Sequence, residues 1–146
     1  MIRAIVFFFV VSFIPSTSWV ADDIAGHWYN QEKDAKIKIY ASYGKYYGLI
    51  EWLKNPNDEE TGKPKLDKHN PKDDKKTRPI MGLLILTSLE FNADDQEWTN
   101  GSVYDPKSGN TYNLTCTLDD KNTMKLRGYL GFSFVGRTDT WTRADQ

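Results

Sequence analysis

The chain has 146 residues, 19 of them basic and 20 acidic, for a formal net charge of −1. That length suits one domain, which buries roughly two thirds of its unfolded surface without covalent staples. No run of lysines and arginines lacks interspersed acids, which argues against nucleic acid as a partner, because a phosphate backbone is followed by a continuous positive field. The lone cysteine, Cys116, excludes an intrachain disulfide, and an aromatic share of 14% favours pleated, half-buried surfaces.

Residues 1–21 carry one positive charge at Arg3, an apolar run over 4–14 that is too short to span a bilayer as a helix, then Pro15 and small polar residues. This is the pattern of a secretory signal peptide, with cleavage points at Ser16 and Ser18 or at Ala21. The expected mature product is a domain over 22–146 that does not span a membrane. Gly26-His27-Trp28 opens it. Ala35, Ile37, Ile39 and Ala41 then alternate with Lys36, Lys38 and Tyr40, the period of a strand with one buried face. Tyr43-Gly44-Lys45 turns the chain into a third strand over 46–53, with Glu51 among large residues on both faces.

Residues 54–79 break the pattern, with four prolines (Pro56, Pro64, Pro71 and Pro79) among charges of both signs. An aperiodic connection of that length is either functional or mobile. Asp67, Asn70 and Arg78 are its members able to pin the loop to the rest of the domain or to line an opening there. Residues 81–91 read as a strand, as do 98–104. The stretch 101–112 is a hairpin in which Asp105 accepts backbone hydrogen bonds, Pro106 presets φ, and Gly109 supplies a positive φ where the next strand begins. Tyr112, Leu114, Cys116 and Leu118 then alternate with polar residues, which places the Cys116 thiol in the core.

Residues 123–143 hold two strands with a corner at Gly136. Leu126, Gly128, Leu130, Phe132 and Phe134 share one face, Arg127 and Tyr129 the other, and Arg137, Asp139, Trp141 and Arg143 share a face of the last strand. About eight short antiparallel strands joined mostly by short turns predict an all-β protein, a single up-and-down barrel with one long charged loop, since closure removes exposed edges.

Gly26-His27-Trp28, Asp67-Lys68-His69-Asn70-Pro71, Arg78-Pro79, Tyr104-Asp105-Pro106, Gly109-Asn110-Thr111-Tyr112, Arg127-Gly128-Tyr129, Gly136-Arg137 and Trp141-Thr142-Arg143, in this order, resemble a bacterial family of exported proteins catalogued as domain of unknown function 2147. The resemblance spans the mature domain. It implies a compact β-barrel and a periplasmic or secreted location, and carries no assigned activity. A looser likeness is to lipocalin-type barrels, which carry Gly-x-Trp on the first strand and a basic residue on the last. Gly26-His27-Trp28 and Arg143 resemble that pair, which implies an Arg plane stacked on Trp28 at the closed end.

The two histidines, His27 and His69, lack the spacing of metal ligands, so neither a metal site nor a cofactor is expected. Glu51, Asp67, Asp105 and Asp139 show no spacing that sets two carboxylates around a substrate. Arg78, Arg127 and Arg137 together with Tyr104 are candidates to hold an anionic group at a barrel mouth, the alternative being structural ion pairs. The leading functional expectation is a barrel that binds a small, partly apolar molecule or lipid without catalysis. The alternatives are a filled barrel that docks an envelope protein and an uncharacterised enzyme. Interior volume separates the first two, because Trp52, Leu114, Phe132 and Phe134 at the centre would leave no room for a ligand.

Overall fold

The computed structural model describes residues 8–13, 18–129 and 136–144. Eight strands follow one another as β1 (Gly26–Tyr29), β2 (Ala35–Ser42), β3 (Lys45–Leu53), β4 (Leu84–Asn92), β5 (Glu97–Asp105), β6 (Asn110–Asp120), β7 (Thr123–Tyr129) and β8 (Gly136–Arg143). Each pairs antiparallel with the next, and β1 returns to β8 through Trp28 opposite Arg143 and Tyr29 opposite Thr142, so the sheet closes into the up-and-down barrel that the alternation predicts. Closure leaves no strand edge to template aggregation. Among the described residues no helix is long and apolar enough to cross a membrane.

Period-two patterning sets which side chains face inward. Ala35, Ile37 and Ile39 of β2 are buried while Lys38 between them is exposed, and Leu114, Cys116 and Leu118 of β6 are buried as expected. Burial of each such aliphatic side chain contributes about 1.5 to 3 kcal/mol. Burial in apolar surroundings also pushes the Cys116 thiol far above its ordinary pKa, so it stays protonated.

One expectation needs correction, and one open condition is met in part. The strand expected over 81–91 begins only at Leu84, because Gly82 at φ +83° turns the chain just before it. Trp52 does not fill the centre. The ladder between β2 and β3 sets Ile37 opposite Ile50 and Lys36 opposite Trp52, so β3 carries an extra residue there. A bulge of this kind re-aims the side chains that follow. Trp52 therefore lies outside the barrel, edge-on to Tyr29 with ring centroids 6.2 Å apart, with Lys36 Nζ 5.5 Å from its own ring centre. Leu114 is a wall residue of the interior, and Phe132 and Phe134 lie outside the described residues.

The two ends of the barrel are closed differently. At the base, a single 3₁₀ turn, Ala21–Ile24, lies across the opening. Trp28 Nε1 donates to the Ile24 carbonyl and Trp98 Nε1 to that of Ala21, both at 2.9 Å, and the Tyr46 hydroxyl donates to Asp22. Trp19 packs against the same core. Arg143 stacks on Trp28 with its guanidinium carbon 4.1 Å from the ring centre, and it donates to the carbonyls of Ala25, Asp23 and Lys121 at 2.7, 2.9 and 2.9 Å. Gly26, at φ +124°, makes room for this arrangement, since a Cβ there would stand 2.8 Å from Arg143 Nη1. At the other end the long loop between β3 and β4 folds over the mouth.

Candidate functional site

Between the Trp28 base and the long loop, the described residues surround a cavity of about 590 Å³, within the size range of small-molecule sites. Its walls are apolar: Ile37, Ile50, Ile85, Leu114 and Leu126 reach it from β2, β3, β4, β6 and β7. On β8 the lining runs Arg137, Asp139, Trp141 and stops there, because Arg143 belongs to the base. The alternation expected for that strand thus descends from a charged rim to an aromatic floor.

The rim is a ring of paired charges. Lys107 Nζ of the β5–β6 turn reaches Asp34 Oδ2 at 3.2 Å, tying two turns that are far apart in sequence. Burial opposes ionisation of Asp34, yet the hydrogen bonds from Asn30 and Lys107 prevail and hold its pKa below the ordinary value. Arg137 bonds Asp139 Oδ1 at 2.7 Å and Glu32 Oε1 at 3.2 Å. In the long loop Lys68 lies 3.7 Å from Asp58. Lys65, also in the cavity wall and half-buried, forms no ion pair among the described residues.

The loop is held by one carboxylate. Asp67 is fully buried. Its Oδ1 accepts from the Tyr104 hydroxyl at 2.6 Å, and its Oδ2 from Asn70 Nδ2 and Arg78 Nε, each at 2.9 Å. Its backbone N–H donates to the Arg78 carbonyl at 2.9 Å, and the Arg78 guanidinium stands 5.8 Å from the Tyr104 ring centre. Burial would raise the Asp67 pKa, but the hydrogen bonds from Tyr104, Asn70 and Arg78 outweigh it, so the carboxylate is held below its usual range. Burial and the same bond to Asp67 push the Tyr104 hydroxyl up to about 12. Gly109 adds a second fixing point, for at φ +77° its missing Cβ would fall 2.0 Å from the His69 carbonyl oxygen. The β5–β6 hairpin therefore lies directly against the loop. The turn itself is built as expected, with Asp105 accepting from the Lys107 and Gly109 backbones.

Of the six candidate binding residues, Asp67, Asn70, Arg78 and Tyr104 thus meet at one point, where Asn70 Nδ2, Arg78 Nε and the Tyr104 hydroxyl all donate to the Asp67 carboxylate. Arg137 stands on the cavity rim. The candidate grouping of Arg78, Arg127 and Arg137 does not form, and the alternative of structural ion pairs holds for Arg78 with Asp67 and Arg137 with Asp139. Arg127 alternates with the cavity-lining Leu126 and Gly128 and lies opposite Thr138, to which it donates at 3.4 Å on the outer face. His27 is paired outside the barrel with Glu51, Nδ1 to Oε1 at 2.5 Å, a contact between residues 24 apart that no local spacing announces. Among the described residues no group of three or more His, Cys, Asp or Glu side chains is placed to hold a metal ion.

Two groups escaped the sequence reading. Trp141 is 5% exposed, and its Nε1 is buried with no hydrogen-bond partner. A buried donor left unmatched costs about 1 to 3 kcal/mol. The other is Lys65, one lysine among many in a charged loop until the fold sets it in the cavity wall.

Among solved structures, the chain is similar to protein HP1028 from Helicobacter pylori, described as belonging to the lipocalin family. The two share 22% sequence identity over 83% of this chain and 82% of that one, with a TM-score of 0.69. The likeness is one of fold and makes this barrel lipocalin-like. No curated protein matches the chain in sequence. The sequence model of one bacterial family, described as "Uncharacterized protein conserved in bacteria (DUF2147)", matches residues 26–143, from the first residue of β1 to the arginine that closes the base, and the chain belongs to that family.

Proposed function

We propose that this protein is an exported carrier that holds a small, partly apolar molecule inside its barrel without carrying out chemistry on it. The observation that carries the reading is the cavity of about 590 Å³, walled by aliphatic side chains and bordered by paired charges. Such a lining favours an apolar body by removing it from water, and a few polar groups at the edge fix its orientation. Export rests on the N-terminal pattern of one basic residue, an apolar run and small residues before Trp19. Among the described residues the first to pack against the core is Trp19, so a leader cut before it keeps that contact.

Native mass spectrometry of the protein isolated from the periplasm of its own host, followed by solvent extraction, tests the reading. A stoichiometric adduct whose removal changes the tryptophan emission is the expected result. A bare mass together with no spectral response to a lipid panel would overturn it. That outcome would favour the second reading, a docking module, for which the outward Tyr29, Trp52 and Lys36 group on β1 to β3 is the supporting feature.

A further inference from the structure

The outer face of β1, β2 and β3 carries a strip of side chains that the cavity does not use, since none of them lines the interior. The ladders set Tyr29, Lys36 and Trp52 side by side toward the mouth, then His27, Lys38 and Leu49, then Tyr40 opposite Tyr47 toward the base. In β2 these residues alternate with the buried Ile37 and Ile39, which turns them outward. Tyr29 and Trp52 meet edge-on, and the Tyr40 and Tyr47 rings stack with centroids 6.0 Å apart. From Lys36 to Tyr40 the strip runs about 13 Å at the ordinary rise of a strand, which suits a chain of units better than a single small molecule.

The strip is cationic, and its polar groups are unspent. Lys36 Nζ stands 5.1 Å from the Tyr29 ring centre and 5.5 Å from that of Trp52, and neither Lys36 nor Lys38 has a carboxylate partner among the described residues. Glu51, beside the strip, is already bonded to His27. The hydroxyls of Tyr29, Tyr40 and Tyr47 make no hydrogen bond among the described residues and are not buried, and Trp52 keeps 37% of its surface exposed. Charge therefore selects an anionic partner. A peptide joining by strand addition finds no place, because the closed barrel offers no free edge. A lipid surface needs aliphatic side chains to bury, and Leu49 is the one aliphatic residue in these rows. Rings bordered by free hydroxyl groups suit a partner with flat apolar faces and hydroxyl rims, which is the surface of a sugar chain.

From this strip we propose that the outer wall of β1 to β3 binds an acidic glycan, a chain of sugar rings bearing carboxylates. The chain lies along the strands, its rings packed on Trp52 and on the Tyr40 and Tyr47 pair and its carboxylates met by Lys36 and Lys38. The inference goes beyond the carrier reading and does not depend on it, since the strip and the cavity lie on opposite faces of the same wall.

Titration calorimetry tests the proposal with two acidic hexasaccharides, of mannuronate and of galacturonate. Mannohexaose serves as the neutral counterpart of the first, poly-glutamate as an acidic peptide, and phosphatidylglycerol vesicles as an anionic lipid surface. The mannuronate hexamer should bind about threefold or more tightly than mannohexaose, and added salt should narrow the gap. Trp52→Ala should weaken it about tenfold or more, and Tyr47→Ala, at the other end of the strip, about threefold to tenfold. Lys36→Gln combined with Lys38→Gln should erase the preference for the acid while leaving mannohexaose unchanged. Circular dichroism checks that the variants, all altered on the outer face, are folded. No binding of either acidic hexamer, or binding that folded Trp52→Ala and Tyr47→Ala leave intact, overturns the proposal. Mannohexaose binding as tightly as its acid overturns the role of the lysines. Tighter binding of poly-glutamate or of the vesicles, with the same dependence on Trp52, would give the strip to an acidic protein or a lipid surface and overturn the glycan.

Discussion

The base and the mouth of this barrel are both closed by chain that lies outside the strands, but with opposite chemistry. At the base, four residues cross the opening, and most of the bonds that hold them run from indole and guanidinium N–H groups to backbone carbonyls. At the mouth, a loop of 30 residues between Leu53 and Leu84 converges on a single buried carboxylate. Neutral acceptors do not titrate, and a short segment costs little chain entropy to order. A carboxylate hub does titrate, and all three of its donors depend on one side chain. The floor thus rests mainly on acceptors that do not titrate, with the Tyr46–Asp22 bond as the exception, and the cover mainly on a carboxylate that does, beside its contact with Gly109.

The largest expected effect tests that asymmetry. Asp67→Ala removes the acceptor shared by Tyr104, Asn70 and Arg78, and loss of one partner from a buried charged cluster costs about 3 to 5 kcal/mol. Hydrogen exchange should show the loop over 54–83 losing protection while β1, β8 and the 3₁₀ turn keep theirs. Equal loss at both ends would mean that the cover and floor form one cooperative unit and would break the comparison.

Acid should reproduce this opening reversibly and more weakly. The folded pKa of Asp67 is depressed, so the stability it contributes is complete above the unfolded value of about 4 and disappears as the pH falls through the folded one. Exchange in the loop should therefore rise on acidification below about pH 4, and the rise attributable to this group should be absent in Asp67→Ala. Arg143→Lys is the corresponding lesion at the floor. Lysine keeps the charge but cannot hold three carbonyls from one plane or stack on Trp28, a loss of about 1 to 3 kcal/mol. It should lower the melting temperature without raising exchange in the loop.

The strands were legible because inward and outward residues alternate, as in β2, β6 and β8, and the β5–β6 turn because Asp105, Pro106 and Gly109 each act through their own backbone geometry. The outward place of Trp52 was not legible, because a period of two carries no sign of an inserted residue and the bulge in β3 is created by pairing with β2. The alternation of Arg127 with Leu126 already set it on the face opposite the cavity, so its candidacy beside Arg137 could have been set aside from the sequence in favour of the alternative of structural ion pairs. Asp67, Asn70, Arg78 and Tyr104 were identifiable as residues, but their mutual bonds were not, since Tyr104 lies 37 positions from Asp67. Lys65 and Trp141 gain their meaning from what does not reach them, and only the folded chain shows that.

The smallest effect concerns where the floor begins. The leader expected from the sequence ends at Ser18 or at Ala21, and the two products would differ in the bonds left at the base. Cleavage after Ala21 would remove the carbonyl that accepts from Trp98 Nε1 and leave that indole N–H unmatched. It would also remove Trp19, whose N–H donates to Gln96 Oε1 at 2.5 Å and whose carbonyl accepts from Gln96 Nε2 at 3.3 Å. Cleavage after Ser18 preserves all of these and converts the Trp19 N–H into an α-ammonium, which strengthens its bond to the Gln96 oxygen. If the proposed export holds, intact-mass measurement of the protein from its own host should give a chain beginning at Trp19. Gln96→Ala should destabilise that form by about 0.5 to 1.5 kcal/mol and raise exchange only at the base. A mature chain that begins at Asp22 with an undiminished melting temperature would show that the floor needs nothing before its 3₁₀ turn, and the contrast between a fixed floor and a pinned cover would then rest on Trp28 and Arg143 alone.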